Sequence, residues 1–182
     1  RLDLVWSCPN GVAVYALDEE LVEAMAEAGC YSLYLGIESG VQEVLARIIH
    51  KPLKLTDVTR LVKKIKEFDI ETVGLFVIGF PGETLEQMRQ TVDFAESLDL
   101  DYVTFSIATP YPGTQLYRDA LKAGFLEETY SEDDLIYGFG KGHIRTKDFT
   151  PEEVLKIREE GWRRINFGRP EKRERLKQLM SR

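Results

Sequence analysis

From Thr72 to Ile78 the chain passes through Val73, Gly74, Leu75, Phe76 and Val77 without a charged side chain. A sheet with one wet face alternates apolar and polar residues, so a run this continuous points to a strand covered on both faces, as in parallel sheets. Three further short apolar runs are expected as strands: Leu2–Trp6, Tyr31–Ile37 and Tyr102–Ala108. Longer stretches of helical periodicity lie between them, and strands alternating with helices are the pattern of βα units.

The helix signals fall where that reading needs them. Asp18 is expected to cap a helix reaching Ala28, with Glu19 and Glu20 in its positive first turn. Ser39 with Gln42 reads as a capping box before the buried stripe Val41, Val44, Leu45, Ile48 and Ile49, and Thr56 as the cap of the next helix. Thr84 with Gln87 is a second such box, and Gly124 ends a short helix after the fourth strand. From about residue 127 the pattern turns polar and aromatic, with an irregular or hairpin reading through Leu135–Phe139 and His143–Arg145. Thr150, Pro151 and Glu153 then open a last helix running to Asn166, with a break at Pro170 and a basic tail beyond. The expected organisation is a βα portion over residues 1–126 and a carboxy-terminal extension over residues 127–182.

Composition excludes several classes. No apolar run approaches the ~18 residues that span a bilayer, and the net charge of −7 argues against nonspecific nucleic-acid binding. Two cysteines, Cys8 and Cys30, are too few for a disulfide scaffold, so reduced thiols and a cytoplasmic location are expected. Neither pairs with His50 or His143 at a zinc-ligand spacing. Cys30, at the amino end of a strand, reads as a small buried hydrophobe. The chain opens on Arg1 rather than Met, and the expectation is a piece excised from a longer protein.

In parallel βα folds ligands sit at the carboxyl ends of strands. Those ends here are the least ordinary stretches of the chain. Gly36, Ile37, Glu38, Ser39 and Gly40 place a carboxylate and a hydroxyl before a helix; they suit ribose or amino groups, or simply cap that helix. Gly79, Phe80, Pro81, Gly82 and Glu83 form a turn whose backbone can read the edge of an adenine while Phe80 packs on the base, or which only connects strand to helix. Thr109, Pro110, Tyr111, Pro112, Gly113 and Thr114 make a rigid loop after the fourth strand. His50 and Lys51 suit an anion, or the negative pole of their own helix.

Taken in order, these segments resemble the radical S-adenosylmethionine superfamily. Gly36–Gly40 is similar to its ribose-contacting strand end, Gly79–Thr84 to its adenine-side turn, and Thr109–Thr114 to its last barrel strand and loop. Trp162, Arg163 and Arg164 through Arg169 and Pro170 are similar to the ending of the subgroup with an amino-terminal cobalamin-binding domain. That subgroup includes methyltransferases and the anaerobic magnesium-protoporphyrin ester cyclase type. The resemblance implies a partial (β/α)6 TIM-like barrel, truncated to its last four βα units, with a small helical extension. It implies that Gly36, Glu38, Ser39, His50, Lys51, Gly79 and Phe80 bind S-adenosylmethionine. Position and composition put Tyr111, Tyr137 and Phe139 on the substrate side.

The family's C-x-x-x-C-x-x-C cluster loop does not occur in this sequence. The expected partners are therefore missing amino-terminal barrel strands, a cobalamin-binding domain and a small-molecule substrate. A [4Fe–4S] cluster, S-adenosylmethionine and cobalamin would be cofactors of the full-length protein, none of them held stably by this chain alone. The full-length enzyme would form a 5′-deoxyadenosyl radical, and the isolated chain would be inactive. Two alternatives stand beside this: a non-catalytic nucleotide-binding or interaction domain on the same scaffold, and an open-sheet nucleotide-binding enzyme, whose Gly-rich fingerprint does not match residues 8–12.

Overall fold

The computed structural model describes residues 4–128, 130–131, 141–168, 170 and 174. Four parallel strands form one sheet in the order β1-β2-β3-β4: β1 Trp6–Ala13, β2 Cys30–Glu38, β3 Glu71–Ile78 and β4 Tyr102–Ile107. Between them lie α1 Glu19–Glu27, α2 Gln42–Val44 with a wider π-helical turn Leu45–Ile49, α3 Leu55–Ile65 and α4 Leu85–Ser97. After β4 come α5 Gln115–Ala123 and α6 Pro151–Phe167.

One face of the sheet makes the core. Leu33, Leu35 and Ile37, Phe76 and Ile78, and Val103, Phe105 and Ile107 pack with Val22, Val58, Leu61, Ile65, Met88 and Val92 from the helices. In register on the other face, Tyr34 lies beside Val73 and Tyr102, Gly36 beside Leu75 and Thr104, and Val77 beside Ser106. Neighbouring strands follow chain order without reversal, which is how a barrel winds. A doubly wound open sheet would reverse at a switch point. The chain is thus an arc of a βα barrel.

Several local expectations are met by hydrogen bonds. Asp18 accepts from the Leu21 amide, and Thr84–Gln87 and Thr150–Glu153 are both complete capping boxes, the second with Pro151 in the first turn. Gly124 takes the left-handed backbone that ends α5. Cys30 is buried at the first position of β2.

Others are corrected. β1 begins at Trp6, where the expected strand Leu2–Trp6 ends, and carries on through Cys8, Pro9 and Asn10 to Ala13. Its register slips between Cys8 and Val12, and a bulge on an outer strand is where a residue without an N–H is tolerated. Ser39 and Gln42 form no capping box. Gln42 instead clips the loop ahead of α3, donating to the Leu53 carbonyl and accepting from the Leu55 amide. α3 starts one residue before Thr56, which caps nothing. An antiparallel bridge joins Leu126, at the end of the expected βα portion, to Ile144, and the irregular or hairpin stretch expected at residues 135–139 lies outside the described residues.

Residues Val154, Ile157 and Ile165 of α6 join the same core. Its polar side chains cover the outer edge of β4. The Asn166 amide accepts from the Val103 N–H and donates to the Val103 carbonyl, and Arg158 Nε donates to the Phe105 carbonyl. An amide side chain here stands where a neighbouring strand would be.

Candidate functional site

The site grows from the end of β2. Gly36 is buried and has no Cβ; one placed there would lie 3.4 Å from Glu38 Oε1, 3.4 Å from the Val12 carbonyl oxygen and 3.5 Å from Lys51 Nζ. Glycine leaves room for two opposite charges to approach the strand. The register slips between Gly36 and Glu38, and Glu38 sits at φ 72°, a left-handed conformation rare for any residue but glycine. His50 is also left-handed, at φ 57°, ending the π-helical turn. That reversal brings Lys51 back over β2, where its Nζ donates to Glu38 Oε1 at 3.0 Å. Both side chains are mostly shielded, with 16% and 28% of their surface exposed, so the pair is less screened than one in open water.

His50 is exposed at the hinge of this reversal. Ser39 is fully buried; its hydroxyl pairs with Thr91 of α4 and accepts from the Val41 amide. The structure therefore brings Gly36, Glu38 and Lys51 together, while Ser39 ties the connection to α4.

The turn after β3 is built on Glu83. Phe80 and Glu83 close a β-turn, the Glu83 N–H donating to the Phe80 carbonyl at 3.0 Å, with Pro81 and left-handed Gly82 at its corner. Pro at the second and Gly at the third position is the type II signature. The Glu83 carboxyl folds back beneath the turn, and its Oε2 accepts from the Gly79 and Phe80 amides, each at 2.8 Å. Both amides are therefore engaged by Glu83 in this conformation. Glu83 is 0% exposed, and its Oε1 has no hydrogen-bond partner among the described residues. Burial pushes its carboxyl up to about 7, against the two amide bonds that pull it down. Sequence reasoning passed over this residue as a site candidate. The signal was a carboxylate placed between a tight turn and an N-cap.

Beyond β4, Tyr111 is exposed on its proline-bounded loop. Tyr130 donates through its hydroxyl to the Pro110 carbonyl and stacks edge-on with buried His143, fastening the extension to this strand end. Tyr137 and Phe139 lie outside the described residues.

Fold and site together define a class: a βα-barrel segment whose ion pair, turn and aromatic loop line up along consecutive carboxyl strand ends. The family model for the radical SAM superfamily matches residues 8–95. The chain is 36% identical over 146 residues to cytidylyl-2-hydroxyethylphosphonate methyltransferase of Streptomyces wedmorensis, covering 77% of this chain and 27% of that protein. It is 25% identical over 118 residues to the anaerobic magnesium-protoporphyrin IX monomethyl ester cyclase of Rubrivivax gelatinosus, covering 65% and 21%. Among solved structures it is similar to the radical S-adenosylmethionine methyltransferase TsrM from Kitasatospora setae. With tryptophan substrate and the analogue aza-SAM bound, that structure gives TM-score 0.54 at 26% identity, covering 65% of this chain and 24% of that one. With cobalamin and a [4Fe–4S] cluster bound, it gives 0.53 at 28%, covering 64% and 22%. The chain belongs to the radical SAM superfamily. It spans about a quarter of the length of these relatives.

Proposed function

We propose that this chain supplies the nucleoside and amino-acid side of an S-adenosylmethionine site in a larger radical SAM enzyme. The observation that carries the reading is the Glu38–Lys51 pair, held against Gly36 at the end of β2. S-adenosylmethionine presents an amino group, a carboxylate and ribose hydroxyls. A shielded ammonium beside a shielded carboxylate suits that donor set: Lys51 for the carboxylate, Glu38 for the amino group or the hydroxyls. Phe80, half-buried on the next turn, offers its ring to the base. Bound in the whole protein, S-adenosylmethionine and a [4Fe–4S] cluster supply one-electron carbon–sulfur bond cleavage, and this chain's residues orient and shield the ligand.

The cluster does not fit the residues here. Cys30 is buried at the amino end of β2, Cys8 lies on β1, and no group of three His, Cys, Asp or Glu gathers among the described residues. The cluster ligands are assigned to the rest of the protein. Similarity to a methyltransferase solved with cobalamin bound supports cobalamin as a further cofactor there, and we assign it to an amino-terminal domain. Tyr111, Tyr137 and Phe139 are assigned to the small-molecule substrate side, and the enzyme to the cytoplasm, where its two free thiols stay reduced.

The test is made in the full-length enzyme. Lys51→Met and Glu38→Gln each remove a charge-assisted hydrogen bond, worth about 1.5–3 kcal/mol, and should raise KM for S-adenosylmethionine roughly tenfold or more. The cluster's visible absorption should stay unchanged. An unaltered KM in both variants refutes the assignment.

A further inference from the structure

Glu83 is the only acidic side chain fully buried among the described residues, and the reading above gives it no role. One of its oxygens holds two backbone amides of the nucleoside-side turn; the other holds nothing. Its surroundings offer little to a charge. A Cβ on Gly79 would touch Val154 and Ile107, and one on Gly82 would touch Ile48.

The titratable groups on neighbouring elements are engaged elsewhere or face water. Near α2, exposed Arg47 pairs with Glu43, His50 is exposed and Lys51 pairs with Glu38. On α4, exposed Glu86 accepts from Gln90 and Arg89 is exposed. On α6, Glu152 faces Arg145, Glu153 closes the capping box and Arg158 donates to the Phe105 carbonyl. No described cation donates to Glu83.

A buried carboxylate without a cation is costly, and it recovers most of that cost either by keeping its proton or by drawing in water. We propose that Glu83 is the positioning residue of the Gly79–Gly82 turn, holding it closed as a neutral acid and loosening it when ionised, so that ligand binding at this strand end weakens as pH rises. In the neutral form Oε2 is the carbonyl oxygen that accepts from Gly79 and Phe80. Loss of the proton to solvent leaves Oε1 charged and unpaired. Water reaches it only if the turn lifts, and Phe80 moves with the turn because its amide is tied to Glu83. Burial holding this carboxyl near neutrality places the change in the physiological range. The ligand side rests on the S-adenosylmethionine reading; the turn itself does not.

The experiment therefore has two readouts, both made on the full-length enzyme. In the absence of ligand, the Glu83 carboxyl carbon is titrated by nuclear magnetic resonance, while hydrogen exchange follows the Gly79 and Phe80 amides from about pH 6 to about pH 8.5. After correction for intrinsic exchange, their protection should fall in step with the titration, by at most about tenfold per pH unit. Glu83→Gln keeps an oxygen for both amides and cannot ionise, so its protection should be flat over the same range. Wild-type protection that ignores the titration, or a Glu83→Gln profile matching wild type, overturns the proposal. With S-adenosylhomocysteine as probe, affinity should fall with pH in wild type and stay level in Glu83→Gln. A wild type that binds no probe at any pH counts against the Glu38–Lys51 assignment, and the exchange data still decide the role of Glu83.

Discussion

Replacing Asn166 by Ala takes away the amide that closes the outer edge of β4. Its oxygen lies 3.0 Å from the Val103 nitrogen and its nitrogen 2.9 Å from the Val103 oxygen, and the residue is 1% exposed. Truncation leaves a buried N–H and a buried C=O without partners together. Each orphaned group costs about 1–3 kcal/mol. Water entering the vacated space recovers part of this, so the expected loss is about 3 kcal/mol, a large share of the ~5–15 kcal/mol that holds a domain folded. Asn166→Leu restores volume without polarity and should lose as much. Asn166→Asp keeps the acceptor, loses the donor and adds a buried charge, and should also fall well below wild type. Urea unfolding followed by tryptophan fluorescence measures the midpoint, with an unchanged slope showing that the denatured state is not involved. A loss under about 1 kcal/mol in Asn166→Ala would refute the view that this side chain replaces a strand.

Three further outcomes are expected. Glu83 has its carboxyl raised from 4.5 to about 7, so the folded chain keeps a proton that the unfolded chain releases; its contribution is full below pH 4.5 and declines to a plateau above pH 7, a drop of about 3 kcal/mol. Urea midpoints at pH 5 and pH 8 should show that drop in wild type and not in Glu83→Gln, and parallel curves would sink the argument. Gly161 on α6 faces Val92 so closely that a Cβ would lie 2.8 Å from both Val92 methyls; Gly161→Ala gains about 1 kcal/mol of helix propensity and loses about 1–3 kcal/mol to overpacking. Adding Val92→Ala should rescue it in a double-mutant cycle, whereas additive losses would exclude the clash. Glu38→Gly and Glu38→Ala both lose the bond from Lys51, but only glycine relieves the left-handed backbone, so Glu38→Gly should melt above Glu38→Ala; equal Tm values contradict the strain.

The parts of the fold readable from sequence were those written in local chemistry. Thr84 with Gln87 and Thr150 with Glu153 satisfy their helices within four residues, and the apolar run at Thr72–Ile78 marks a strand by itself, although Leu75 and Val77 on its second face are only half-buried. What escaped depended on residues far apart in the chain. Ser39 has the right neighbours for a cap, yet Thr91, 52 positions away, takes its hydroxyl. Gln42 is drawn off by Leu53 and Leu55. The strand expected at Leu2–Trp6 runs on to Ala13 because a register slip between Cys8 and Val12 accommodates Pro9, and that slip is set by the pairing with β2. In the site, the charges were visible as types, but their meeting depends on the reversal at His50. Glu83 was hidden for a similar reason: nothing local tells whether a glutamate before an N-cap points into water or folds under its own turn.

The closure of β4 by α6 also has a consequence in time. Val103 and Asn166 stand 63 positions apart, so at ~5–20 residues per second a ribosome needs several seconds to make the helix after the strand it protects. During that interval Val103 and Phe105 present open backbone groups on a strand of Tyr, Val, Thr, Phe, Ser and Ile, a composition suited to pairing with the wrong neighbour. The nascent chain is most vulnerable just before α6 emerges. A premature stop ahead of Pro151 would make that vulnerability permanent.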